Sequence, residues 1–173
     1  RLGGELPAYT ITDPAVPAAD KRVVLFTALQ HDLETTGALA LEGLTRFILS
    51  DDPRAVALRR AFEFHIVPRM DPDGIDAGNR YHPAGNLNRQ WGLGTAPETG
   101  CVERLAKSLV AAGRPLALTI DFHGWCTPAR ETLFLTFGRE LTDEATEAAT
   151  LALAETIKPR LTGKVSVPLR RQM

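Results

Sequence analysis

The run RVVLFTAL, from Arg22 to Leu29, is apolar at nearly every position and rich in β-branched and aromatic residues. A strand with one wet face alternates apolar with polar residues. This run does not, so it reads as a strand buried on both faces, inside a sheet that helices cover on both sides. Similar runs follow at Glu63 to Pro68 (EFHIVP), Pro115 to Phe122 (PLALTIDF) and Thr132 to Phe137 (TLFLTF). Shorter strand-like patches lie at Ala8 to Ile11 and Val165 to Leu169. Between the runs the period becomes helical. Leu41, Leu44, Phe47 and Ile48 recur from Glu34 until Ser50-Asp51-Asp52-Pro53 stops them, and Arg54 to Ala61 reads as a second helix. Val102, Leu105, Ala106 and Leu109 mark another that Gly113 closes, and Thr142 or Asp143 caps an Ala-rich helix to about Ile157. Strands alternating with helices predict an α/β fold with a mixed, mostly parallel central sheet flanked by helices.

Charge and composition narrow the function classes. Lys and Arg number 20 against 21 Asp and Glu, so the clustered basic excess that nucleic acid demands is missing. No apolar run approaches the roughly 18–20 residues of a membrane span. Cys101 and Cys126 are too few for a disulfide scaffold, which predicts a reduced compartment, the cytoplasm. Without an internal repeat or a linker, residues 1–173 read as one domain. Oligomeric state leaves no mark.

Of the histidines, His31 and His123 sit just past the ends of predicted buried strands, where α/β sheets gather ligands. His31 and Glu34 are three positions apart across a strand-to-helix turn, a spacing that can aim an imidazole and a carboxylate into one space. His123 would complete a His/Glu/His set with the fourth position open, as in catalytic zinc sites. Glu34 also has an ordinary reading, an acid in the first turn of a helix. His65 alternates with Phe64 and Ile66 and reads as a satisfied core histidine. His82 reads as a loop residue, Cys126 as packing and Trp91 as a loop anchor. Asp121, two positions from His123 on one strand face, is either a partner of that imidazole or a structural acceptor. Asp71, Asp73 and Asp76 lack the EF-hand glycine spacing, so Asp-Pro-Asp-Gly reads as a turn.

Met70 to Pro97 is long, aperiodic and full of turn chemistry, the mark of a functional or a disordered segment. It carries Asp71-Pro72-Asp73-Gly74, Gly78-Asn79-Arg80 and Asn86-Leu87-Asn88-Arg89-Gln90-Trp91, between QHDLETTG and DFHG. In this order, over about Val23 to Phe137, the motifs resemble the zinc carboxypeptidase family and above all its cytosolic-carboxypeptidase-like branch. The resemblance implies one zinc ion held by His31, Glu34 and His123. It also implies Arg80 as the group that polarises the scissile carbonyl, and Asn88 with Arg89 as the grip on a substrate's terminal carboxylate. These residue types suit those tasks. A guanidinium fork binds a carboxylate through parallel hydrogen bonds, and a donor at the developing oxyanion is worth about 3–4 kcal/mol. The implied reaction is hydrolysis of a C-terminal peptide or glutamyl amide bond by a zinc-activated water, with a peptide or protein C-terminus as substrate.

Several positions depart from the family pattern. Asp71 replaces an asparagine, Asp32 adds a carboxylate within the His-x-x-Glu segment, and Asn86 stands where an aspartate usually holds a zinc histidine. A neutral amide still accepts an imidazole N–H but raises ligand basicity less. The family's general-base glutamate lies well beyond the last zinc histidine. Glu131, Glu140, Glu144, Glu147 and Glu155 follow His123, and none matches its context, so no general base is identified and the catalytic domain is expected to lack its C-terminal part. Two alternatives stand beside the peptidase: a zinc deacylase of N-acyl amino acids, similar to succinylglutamate desuccinylase and aspartoacylase, and a catalytically incomplete metal- or peptide-binding module.

Overall fold

The computed structural model describes residues 5–78, 85–124, 135–138, 143–160 and 169–172. The chain divides into two compact units, Arg1–Cys126 and Thr127–Met173. In the first, β1 (Tyr9–Ile11), β2 (Arg22–Ala28), β3 (Phe62–Val67) and β4 (Leu116–Phe122) form a sheet in the order β1-β3-β2-β4. β2 runs parallel to β3 and to β4, whereas β1 is antiparallel to β3. The sheet is thus mixed and mostly parallel, as the apolar runs predict.

The apolar run from Arg22 forms β2, in which only the first residue is exposed. Val24, Phe26 and Ala28 join Phe64 and Ile66 on one face, beneath Leu41 and Ile48 of α1 (Thr35–Leu49). Leu58 of α2 (Pro53–Ala61) packs against the same cluster. Asp52 caps α2 by accepting the Arg54 N–H at 2.8 Å, with Pro53 preset for the first turn. On the other face Leu25 and Val67 pack with Met70, Leu87, Ala96 and Val102. Val102 belongs to α4 (Pro97–Ala111), which Gly113 ends at φ 73. Its stripe was legible, but the helix begins at Pro97, because a proline at the start costs no intrahelical bond.

One local expectation is corrected. Asp-Pro-Asp-Gly is not a bare turn but opens a short helix, α3 (Pro72–Asp76). The fully buried Asp71 caps it by accepting the Gly74 N–H at 2.9 Å. A Cβ at Gly74 would lie 2.1 Å from Asp71 Oδ2, so this cap requires glycine.

The second unit holds β5 (Leu135–Gly138), α5 (Glu144–Ile157) and β6 (Leu169–Gln172), with β5 and β6 parallel. β5 overlaps the expected strand, and β6 begins where the expected Val165 to Leu169 strand ends; residues 161–168 lie outside the described residues. No helix among the described residues is long and apolar enough to cross a membrane.

Candidate active site

Parallel pairing with β2 in the centre brings the carboxyl ends of β2 and β4 side by side, Ala28 opposite Phe122. His31 follows the first strand and His123 the second. The chain leaves β2 through Leu29 at φ 55, a left-handed turn that a branched side chain adopts only under strain. Backbone hydrogen bonds pin that turn: Met70 N–H to Ala28 O at 2.9 Å and Asp71 N–H to Leu29 O at 3.0 Å.

The start of α1 then meets the end of β4 with no room for a side chain. A Cβ on Gly37 would lie 2.2 Å from Phe122 O, and one on Gly124 would lie 2.7 Å from Glu34 Cα. This contact sets the carboxylate of Glu34 between two imidazoles. Oε1 is 2.8 Å from His31 Nδ1 and Oε2 is 2.5 Å from His123 Nδ1. The rings stack at 5.5 Å between centroids. Although Glu34 precedes α1, its side chain makes no capping hydrogen bond. Its carboxylate serves the imidazoles, and Oε2 also accepts the Gly124 N–H at 3.3 Å.

The outer nitrogens are occupied as well. His31 Nε2 donates to Asn86 Oδ1 at 2.9 Å, an oxygen that also accepts the Asn88 N–H at 3.0 Å. His123 Nε2 faces Asp121 Oδ2 at 2.5 Å. Each ring is thus held between oxygen atoms, with Nε2 against Asn86 or Asp121 and Nδ1 turned toward Glu34. One donor atom each from His31, Glu34 and His123 lies within 4.8 Å of the others. His31 and Glu34 are buried while His123 is exposed, so the cluster opens on one side. Two nitrogens and a carboxylate with one open side is the donor chemistry of a catalytic zinc site, and the residues fit that ion.

The charges are mutually supporting. Burial resists ionisation of Glu34, but hydrogen bonds and charge from His123 and His31 hold its carboxyl below the usual range. Burial likewise disfavours a charged His123, yet Asp121 and Glu34 outweigh it and push this imidazole up to about 10.

Of the remaining sequence candidates, Asn88 and Arg89 lie in the helical turn Leu87–Arg89 that Asn86 caps. Arg89 is exposed, and its guanidinium donates to Asn88 O at 3.1 Å. Asp32 is not among the three converging donors. His65 is satisfied as expected, 2.8 Å from Glu63 Oε1. Trp91 packs on the cluster of Leu25 and Leu87. Arg80, His82, Cys126, Glu131 and Glu140 lie outside the described residues; Glu144, Glu147 and Glu155 are on α5. Sequence reasoning missed Gln30, which is buried and donates to Asp121 Oδ2 at 2.7 Å, and Thr27, which donates to Asp121 Oδ1 at 2.6 Å. The available signal was polarity at the end of an otherwise apolar strand.

Comparison with known proteins bears on the family and the fold. A family model described as zinc carboxypeptidase matches residues 2–123. Cytosolic carboxypeptidase 2 of Danio rerio is 36% identical over 130 residues, which are 70% of this chain and 18% of that protein. The chain therefore spans under a fifth of that relative's length. A metallo-carboxypeptidase from Burkholderia cenocepacia superposes with a TM-score of 0.75 and 27% identity, over 96% of this chain and 45% of the other. The fold likeness extends to an aspartoacylase family protein from Mesorhizobium loti, with a TM-score of 0.58 and 17% identity over 88% of this chain and 45% of that one.

Proposed function

Because the chain belongs to the zinc carboxypeptidase family, we propose that it carries the metal and substrate-gripping part of a hydrolase acting on a C-terminal peptide or glutamyl amide bond. The single observation that carries this reading is the convergence of His31, Glu34 and His123. These residues would hold one zinc ion. When bound, zinc supplies Lewis acidity toward the scissile carbonyl and lowers the pKa of a water molecule.

The protein's own groups do the rest. Asn86 and Asp121 hold the Nε2 protons of the two imidazoles, fixing tautomer and ring orientation. Arg89, exposed beside half-buried Asn88, receives the substrate's terminal carboxylate as a guanidinium fork, with the Asn88 amide as the additional donor. Arg80 is assigned to the carbonyl oxygen, where negative charge develops. No general base is assigned. We take residues 1–173 as parts of one catalytic domain, supported by the alignment of a solved carboxypeptidase over 96% of the chain. A cytoplasmic location is proposed on the name of the cytosolic relative.

The peptidase reading is preferred to the deacylase because the aspartoacylase likeness, at 17% identity, concerns the fold alone. The test is release of C-terminal amino acids from short peptides by the purified protein, run against N-acyl amino acids. Activity on peptides that chelation removes supports the proposal. Preference for N-acyl amino acids selects the deacylase, and stoichiometric zinc without turnover selects the binding module.

A further inference from the structure

The hydrogen bonds around the metal donors continue past Asp121. Gln30, 2% exposed, lies just past the end of β2, after Leu29, between two partners. Its amide N–H donates to Asp121 Oδ2 at 2.7 Å, and its Oε1 accepts the Trp91 indole N–H at 3.2 Å. A carboxylate only accepts and an indole nitrogen only donates, so a single orientation of the amide serves both. Thr27 holds the other Asp121 oxygen. The segment from Asn86 to Trp91 is therefore tied at both ends to the metal-site imidazoles. Asn86 reaches His31 directly, and Trp91 reaches His123 through Gln30 and Asp121. Asn88 and Arg89 lie between the two ties.

We propose that Gln30 is a positioning residue that couples the Asn86–Trp91 segment to the His123 imidazole, so that metal capture and the seating of Asn88 and Arg89 are linked. The inference rests on the reading of His31, Glu34 and His123 as the zinc set. A buried amide that merely filled space would be replaceable by an apolar side chain of similar length. Here such a replacement strips Asp121 of one donor and the Trp91 N–H of its acceptor, and the effect arrives at His123. Partners that orient a metal ligand typically change metal affinity by about 10–100-fold when removed.

The experiment measures the zinc dissociation constant of the purified protein by competition with a chromogenic chelator, for wild type, Gln30→Met, Trp91→Phe and the double variant. Tm of each protein in excess chelator and the visible spectrum of each cobalt(II)-loaded protein are recorded alongside. Gln30→Met is expected to weaken zinc binding several-fold, less than the about 10-fold typical of losing a group bonded directly to a metal ligand, and to shift the cobalt bands. Trp91→Phe should weaken it less, and the double variant should bind no more weakly than Gln30→Met, because Trp91 acts through Gln30. Zinc affinity within about twofold of wild type in Gln30→Met, with only Tm lowered, overturns the proposal, as do fully additive effects. Should Gln30→Met fail to fold, unchanged zinc affinity in Trp91→Phe overturns it. A wild-type protein that binds no zinc removes the metal reading and this inference together, whereas tight wild-type binding shared by every variant removes this inference alone.

Discussion

Two buried carboxylates in the first unit each meet a histidine and one further cationic partner, yet their chemical prospects differ. Glu34 lies between His31 and His123, past the carboxyl ends of β2 and β4. Glu63 lies near the amino end of β3, where one oxygen is 2.8 Å from His65 Nε2 and 3.1 Å from Arg114 Nη1. Both carboxyls are held below their ordinary range: burial opposes ionisation in each, and cationic partners overcome it. The difference lies in what those partners can give up. An imidazole exchanges a proton for a metal at neutral pH, whereas a guanidinium never deprotonates and offers no lone pair. Position compounds the contrast. His65 sits within a strand and its other nitrogen meets Thr10 at 3.3 Å, while His31 and His123 stand beyond strand ends with their outer nitrogens held by Asn86 and Asp121. One carboxylate stands where an ion could share it, as proposed above, and the other ties an arginine to a sheet.

The largest expected effect breaks the first region and spares the second. His31→Ala removes one of the three donors, so zinc measured by atomic absorption after gel filtration should fall from near-stoichiometric to background. Peptide hydrolysis should vanish with it, while Tm in excess chelator changes far less. Gly37→Ala attacks the same region through the backbone. The new Cβ meets the Phe122 carbonyl, which cannot turn aside without disturbing β4. Overpacking of this kind costs about 1–3 kcal/mol, read as a lowered urea midpoint, and zinc affinity should fall because Glu34 and His123 are pushed apart. Retained affinity would show that the glycine contact does not set the donor spacing.

Glu63→Gln tests the other carboxylate. With the glutamate and its partners mostly buried, the loss is expected at about 2 kcal/mol at neutral pH, with zinc binding unaltered. Its pH dependence has a definite sign. A carboxyl whose folded pKa is lowered stabilises fully above its unfolded value, about 4.3, and loses that contribution as pH falls through the folded value. Urea titrations from neutral pH downward should therefore show the difference between wild type and Glu63→Gln shrinking under acid conditions. A difference that stays constant with pH would remove the ion pair as its source.

What the sequence disclosed of this contrast, and what it withheld, follows from the range of the interactions. Burial of β2 on both faces was readable because it depends on composition along one run. His31, Glu34 and His123 were readable because each stands at a fixed offset from a strand end, although spacing alone left Glu34 open to an ordinary helix-start role. That role is decided only by a contact across the fold, where Gly37 and Gly124 let α1 and β4 touch. Asp121 had two readings at the outset and takes both, facing His123 while accepting from Thr27 and Gln30. The role of Gln30 was hidden, since nothing local joins it to Trp91. Asp71 was misread as a turn residue because a cap and a turn use the same short acidic side chain.

The smallest expected effect sharpens the comparison from inside the metal region. Asn86 gives His31 a neutral acceptor, whereas Asp121 gives His123 a charged one. Asn86→Asp would make the two supports alike. The substituted carboxylate still accepts the Asn88 N–H, so the helical turn survives, and its charge makes the His31 imidazole a more basic ligand. Zinc should bind several-fold more tightly, less than the about 10-fold lower bound typical for deleting such a partner, because the amide already fixes the ring. Chelator competition at neutral pH checks both size and direction. Weaker binding would mean that a third carboxylate beside Glu34 and Asp121 repels its neighbours more than it helps His31.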